Sequence, residues 1–170
     1  LVTDLDNDRI RIIRGPYTGW TTNLPWEPWN PAFYTVGTVA GDGTSAYTNG
    51  RGDAAQFSAP DDIAIGPGGI FYVLERGGGS RVRTLRWTGG DPMSNQNWEV
   101  GLLAGATDGS SGYVNATGSS ARFNDPRGIA VGPDGMVYVA DTSNDCIRKI
   151  TPDGVVTTLA GTNTSGYVDS

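Results

Sequence analysis

Two stretches decide the reading: FSAPDDIAIGPGGIFYVLE at residues 57–75 and FNDPRGIAVGPDGMVYVAD at residues 123–141. They align without a gap at an offset of 66 residues, with Phe57 over Phe123, Pro60 over Pro126, Ile63 over Ile129, Gly69 over Gly135 and Tyr72 over Tyr138. Within each, a short apolar run (DIAIG, GIAVG) reads as a buried strand. GPGG or GPDG then makes a tight turn, proline presetting φ and glycine accepting positive φ. The β-branched and aromatic runs IFYVLE and MVYVAD read as second strands.

Working outward, VTDLDNDRIRII (2–13) lies over VADTSNDCIRKI (139–150), and TVAG (38–41), LLAG (102–105) and TLAG (158–161) recur. RVRTLRW and CIRKI supply third strands, and TPDG (151–154) turns the last one into VVTTLAG. The unit is four antiparallel strands followed by a long loop, repeated at a fixed period, which describes a β-propeller blade. The pattern FNDPRGIAVGPDGMVYVADTSNDCIRKITPDGVVTTLAG resembles NHL repeats. The likeness covers residues 1–14, 36–86 and 100–170, and VLERGGGSRVRTL departs from it, with Glu75 in place of Asp and a longer turn. The resemblance implies an all-β propeller of four-stranded antiparallel blades. The chain then divides into a partial blade (1–41) carrying a Trp/Pro-rich insertion (15–34), a full blade (42–105) with an insertion (87–99), a full blade (106–161), and the start of a further inter-blade loop (162–170). Propellers close with roughly four to eight blades, so the ring is incomplete. Its completion is expected from other protein segments or from copies of the chain itself.

Composition narrows the function. Twenty-six glycines and ten prolines in 170 residues suit short strands rather than long helices. Twelve basic residues against eighteen acidic ones give a net charge of −6, which disfavours nucleic acid as a partner. There is no histidine, so the commonest general base and zinc ligand are missing. No apolar run is long enough to span a bilayer.

The loops hold the candidate contacts. Both insertions are expected on one blade face. Between them they carry Tyr17, Trp20, Trp26, Trp29, Trp87 and Trp98, rings that either bind a sugar or protein partner or pack on their own blades. The loops after fourth strands are expected on the opposite face. They contain the sequons Asn115-Ala116-Thr117 and Asn163-Thr164-Ser165, candidate N-glycosylation sites. They also contain Arg51-Gly52-Asp53, an adhesion-like triplet. Aligned on the next loop, Gly52 falls on Gly118 while Arg51 and Asp53 fall on Thr117 and Ser119, so the triplet reads most simply as an ordinary repeat loop.

The acids Asp4, Glu75 and Asp141 each end a second strand, and their recurrence argues for caps of the following turn rather than for catalysis. The adjacent Asp61 and Asp62 read as a solvated loop, and Cys146 as a buried free thiol or a link to another segment. The resulting expectation is a non-enzymatic interaction or assembly scaffold located outside the cell. It has no catalytic residues and no cofactor, although calcium is compatible with the oxygen-rich residues. Two alternatives stand: a lyase, lactonase or hydrolase propeller whose catalytic residues lie elsewhere, and a self-assembling subunit.

Overall fold

The computed structural model describes residues 1–15 and 34–166. In chain order the strands are β1 (Val2–Asp4), β2 (Arg9–Arg14), β3 (Thr35–Ala40), β4 (Gly50–Arg51), β5 (Pro60–Ile65), β6 (Ile70–Glu75), β7 (Arg81–Trp87), β8 (Trp98–Gly105), β9 (Gly128–Val131), β10 (Val137–Asp141), β11 (Cys146–Ile150) and β12 (Val156–Gly161). They form three antiparallel sheets, ordered β1-β2-β3, β4-β8-β7-β6-β5 and β12-β11-β10-β9. These are three propeller blades in succession. The middle one departs from the expected four strands: β4, a piece of the preceding loop, pairs with β8 and gives its outer edge a fifth strand.

The turns follow the residues that make them. After β1 and β10 the chain takes one 3-10 turn and then places Asp8 and Asp145 in the left-handed region (φ 49° and 48°), a conformation that Asp tolerates better than most residues. The glycine of TPDG has a stricter reason. Gly154 has φ +82°, and a Cβ there would lie 2.5 Å from the Leu103 carbonyl oxygen of the blade before.

One irregularity recurs in every blade. The pairing of third and fourth strands slips between Ile10 and Arg11, between Val82 and Arg83, and between Ile147 and Arg148. The residues skipped are Val39, Leu103 and Leu159. Such a bulge interrupts the alternation of side chains, so that Val39 with Ala40, and Leu103 with Ala104, are both buried in the core toward the next blade.

Each blade thus has a front, facing the blade before, and a back, facing the blade after. Ile10, Val39 and Ala40 from the back of blade 1 pack with Val73, Leu85 and Val100 from the front of blade 2. Val82, Leu103 and Ala104 from the back of blade 2 pack with Val139, Ile150 and Val156 from the front of blade 3. Phe57 and Phe123, delivered by the inter-blade loops, are fully buried in these two cores. The first strands carry further links between blades: Thr3 Oγ1 donates to the Asp61 carbonyl at 3.1 Å, and the Ile129 amide donates to Asp62 at 3.0 Å. Asp61 and Asp62 therefore lie on β5, half-buried and engaged, and not in the solvated loop the sequence suggested.

Candidate functional site

The third strands carry an arginine at one register position, Arg11, Arg83 and Arg148, each paired across to the second strand at Val2, Val73 and Val139. In blades 2 and 3 that arginine is fully buried. Arg83 uses all five of its N–H groups: Nε donates to Gly101 O (3.2 Å), one terminal nitrogen to Gln56 O and Glu75 Oε1 (both 3.0 Å), the other to Thr48 O (2.8 Å) and Asn49 Oδ1 (2.9 Å). Arg148 repeats the pattern, donating to Arg122 O, Asp141 Oδ2, Val114 O and Asn115 Oδ1 at 2.7–3.1 Å. The guanidinium is closed in by rings. Tyr47 and Phe57 have their centroids 4.6 and 5.2 Å from the central carbon of Arg83, and Tyr113 and Phe123 lie 4.9 and 5.3 Å from that of Arg148. These distances suit a cation–π contact. The device is a latch. One buried guanidinium gathers two carbonyls and a side-chain amide from the inter-blade loop and ties that loop to its blade.

The recurring acids belong to this latch. Neither Asp4 nor Asp141 caps the backbone of the 3-10 turn it begins, so the turn-capping expectation is corrected. Asp141 pairs with Arg148 at 2.7 Å, accepts from the Asn124 amide at 2.8 Å and receives Asn144 Nδ2 at 2.8 Å. Glu75 pairs with Arg83 at 3.0 Å and accepts from the Ser58 amide at 3.1 Å. Its extra methylene also brings Oε2 to 3.5 Å from Arg81, which stands where blade 3 has Cys146. Glu with two arginines in one blade, and Asp with one arginine and a cysteine in the next, are two fillings of one slot. Burial pushes the Glu75 carboxyl up and the Arg81 guanidinium down, while their mutual attraction opposes both shifts. Cys146 is free and buried; burial and the neighbouring Asp141 carboxylate push its thiol up.

The candidate contact residues separate. Tyr17, Trp20, Trp26 and Trp29 lie outside the described residues. The second insertion is shorter than read: β7 runs through Trp87 and β8 starts at Trp98, so the connecting loop is 88–97. Trp98 is core, with its Nε1 donating to Pro92 O at 2.9 Å and its ring 6.0 Å from that of Phe71. Trp87, its cross-strand partner, is 48% exposed. Beside it, Leu1, Ile12, Ile13, Ile65 and Phe71 line an apolar recess of about 560 Å³ between blades 1 and 2.

The Arg51-Gly52-Asp53 turn does not sit opposite this loop, as the face assignment required. Arg51 pairs with Glu99, Gln96 Nε2 donates to Asp53 Oδ1 at 3.2 Å, and a Cβ on Gly52 would lie 2.3 Å from Asn95 O. The inter-blade segment runs along the outer edge of its own blade as far as the hairpin between third and fourth strands, a path that strand order alone does not reveal. In the triplet, Gly52 is buried and the flanking Arg51 and Asp53 are exposed. Asn115 is exposed while its Oδ1 holds Arg148, the role Asn49 has in the blade before; Asn163 is exposed at φ 58°. Among the described residues no group of three or more His, Cys, Asp or Glu could hold a metal, and no helix is long and apolar enough to cross a membrane.

Comparison with known proteins agrees with this repeat. Residues 101–168 match the Teneurin NHL domain family. The chain is 44% identical over 57 residues to NHL repeat-containing protein 2 of Gallus gallus, covering 33% of this chain and 8% of that protein. It is 28% identical over 140 residues to the chloroplastic Protein SUPPRESSOR OF QUENCHING 1 of Arabidopsis thaliana, covering 76% of this chain and 12% of that one. The chain thus spans about a tenth of the length of the curated relatives it matches. A solved Bacteroides thetaiotaomicron protein, named only provisionally as a phosphatase, superposes with a TM-score of 0.50 at 24% identity, over 64% of this chain and 24% of its own. That likeness concerns the fold alone. Residues 101–168 thus carry NHL-type repeat sequence, and the chain folds as successive antiparallel β-propeller blades.

Proposed function

We propose that this segment is a non-enzymatic interaction scaffold working outside the cell, its blades displaying surface to protein or glycan partners. The observation that carries the reading is the fate of the recurring acids. Glu75 and Asp141 are fully buried and held by arginine and backbone amides, so neither is open to a substrate. What the molecule offers instead is apolar surface: Trp87, Ile13 and Ile65 are exposed around the recess between blades 1 and 2. Aromatic and aliphatic side chains in a concave site are the usual anchors of a binding surface.

The test combines binding with turnover. Binding of an oligosaccharide array and a panel of hydrophobic peptides by the purified protein, lost in Trp87→Ala, supports the scaffold. Hydrolysis of ester, lactone or phosphate-ester probes that co-purifies with the protein overturns it. Glycopeptide mass spectrometry of Asn115 and Asn163 tests the location, and bare asparagines in material secreted by a glycosylating host speak against it.

A further inference from the structure

The loop that covers Arg148 presents an asparagine and an aromatic ring side by side. Val114 pairs with Arg122 as an isolated antiparallel bridge, so the chain is extended there and Tyr113 and Asn115 leave it on the same side. Both meet the Thr158 hydroxyl, which accepts from the Tyr113 hydroxyl at 2.8 Å and donates to Asn115 Oδ1 at 3.4 Å. Asn115 Oδ1 also accepts from Arg148 at 2.7 Å. A guanidinium only donates, so the amide turns its oxygen inward and its Nδ2 outward. Among the described residues nothing accepts from that Nδ2.

Blade 2 differs at each point. Its equivalent of Thr158 is Leu102, which has no hydroxyl, and the Tyr47 hydroxyl accepts from Asn49 Nδ2 at 3.2 Å instead. Arg81 and Arg83 both lie on the Tyr47 ring, at 4.5 and 4.6 Å from its centroid. In blade 3 Cys146 replaces Arg81, and the Tyr113 ring, with Arg148 on one side, is 36% exposed. Arg148 shares the front of blade 3 with Ile150, and blade 2 already covers that front. The exposure of Tyr113 is therefore not that of a blade face awaiting a neighbour.

The sequence supplies a ligand for the ring. Asn115-Ala116-Thr117 is a sequon, Asn115 and Thr117 are exposed, and the Thr117 side chain makes no cap to the turn it begins. Asn49-Gly50-Arg51 is not a sequon. Asn163-Thr164-Ser165 is one, but Gly161 stands two residues before Asn163 where Tyr113 stands two before Asn115. We propose that Asn115 carries an N-linked glycan whose first N-acetylhexosamine packs its C–H face on the open side of the Tyr113 ring. Polarised C–H groups suit the negative face of an aromatic ring. Attachment forms a bond from Asn115 Nδ2 to C1 of the sugar, breaks the C1–O bond to the diphosphate of a lipid-linked oligosaccharide donor, and releases one amide proton. Oδ1 keeps its lone pairs and so keeps Arg148, and the sugar becomes the outer cover of the latch. The inference rests on the extracellular part of the reading above and deepens it by giving the glycan a seat.

The experiment uses the protein secreted by a glycosylating host and trimmed to one N-acetylglucosamine per site. It is compared with Thr117→Ala, which removes the sequon and leaves Asn115 to hold Arg148. The expected result is an occupied Asn115 by glycopeptide mass spectrometry, and a folding equilibrium constant from urea melts about threefold to tenfold larger with the sugar than without. The gain persists in Tyr113→Phe and is lost in Tyr113→Leu, each measured with and without Thr117→Ala, so that the variants' own costs cancel. In the parent protein, nuclear Overhauser contacts join protons of the first sugar to the Tyr113 ring. Bare Asn115 overturns the proposal; an occupied Asn163 in the same material leaves the location standing. A sugar on Asn115 whose gain survives Tyr113→Leu, or that makes no contact with the ring, overturns the packing and leaves both the scaffold and its location standing.

Discussion

Replacing Arg148 by methionine tests the latch most directly. The side chain keeps much of its volume and loses its charge. Four hydrogen bonds disappear, to Arg122 O, Val114 O, Asn115 Oδ1 and Asp141 Oδ2, and Asp141 remains buried with only the Asn124 amide and Asn144 Nδ2 as strong donors. Removing one partner of a buried ion pair costs about 3–5 kcal/mol, most of it from the charge left behind. At an m-value of about 2 kcal/mol/M this lowers the urea midpoint by roughly 1.5–2.5 M. Adding Asp141→Asn removes that charge, so the double variant recovers about 1–3 kcal/mol relative to the sum of the single effects. It does not return to the parent, because the loop carbonyls still lack their donor. Hydrogen exchange followed by mass spectrometry should show faster exchange in residues 106–124 and little change in 42–57, which hang on Arg83. A single variant within about 1 kcal/mol of the parent, or a strictly additive double variant, refutes the latch as the tie between loop and blade.

Other predictions follow from the same geometry. Trp98→Ala should cost about 3–5 kcal/mol and Trp87→Ala less than about 0.5 kcal/mol, read as urea midpoints, because the first ring is core and the second faces solvent. Gly154→Ala should cost more than Gly68→Ala: both positions have positive φ, but only at Gly154 would the added Cβ meet a neighbour, Leu103 O at 2.5 Å, and thermal melts of the two variants compare them. Asp42 and Asp108 are held below the usual carboxylate range by hydrogen bonds from Thr44 and Ser110, so their contribution to loop order is complete above that range and is lost only as pH falls through the lowered values; amide exchange of residues 42–46 and 108–112 along an acid titration follows it. The raised Cys146 thiol should react with a disulfide reagent at neutral pH more slowly than free cysteine, and unfolding in urea should remove the difference.

The blades were legible because their signal is local. Apolar alternation, GPGG and GPDG turns and the returning LAG each specify backbone over a few residues, and the 66-residue offset fixes which strands are equivalent. The latch was less legible, although Arg11, Arg83 and Arg148 recur in the sequence as plainly as the acids do. A charged residue in a strand is ordinarily solvent-facing. What buries Arg83 and Arg148 is a loop that folds back over them, with Tyr47 or Tyr113 as its cover, and that contact joins residues 34–36 positions apart. The face assigned to Arg51-Gly52-Asp53 went wrong for the same reason. The loop's path is set by pairing with β8, a long-range interaction that no local pattern announces.

The bulge beside each arginine has a consequence for how such molecules grow. By turning two neighbouring side chains to the back, as Leu103 and Ala104 show, it makes a blade a directional unit, with unlike leading and trailing sides. A flipped blade would present two backs or two fronts to each other. Copies can therefore be added in only one orientation, so a duplicated repeat meets its neighbour back to front, as the existing junctions do. The polarity of the array is written once per repeat, in a single skipped residue.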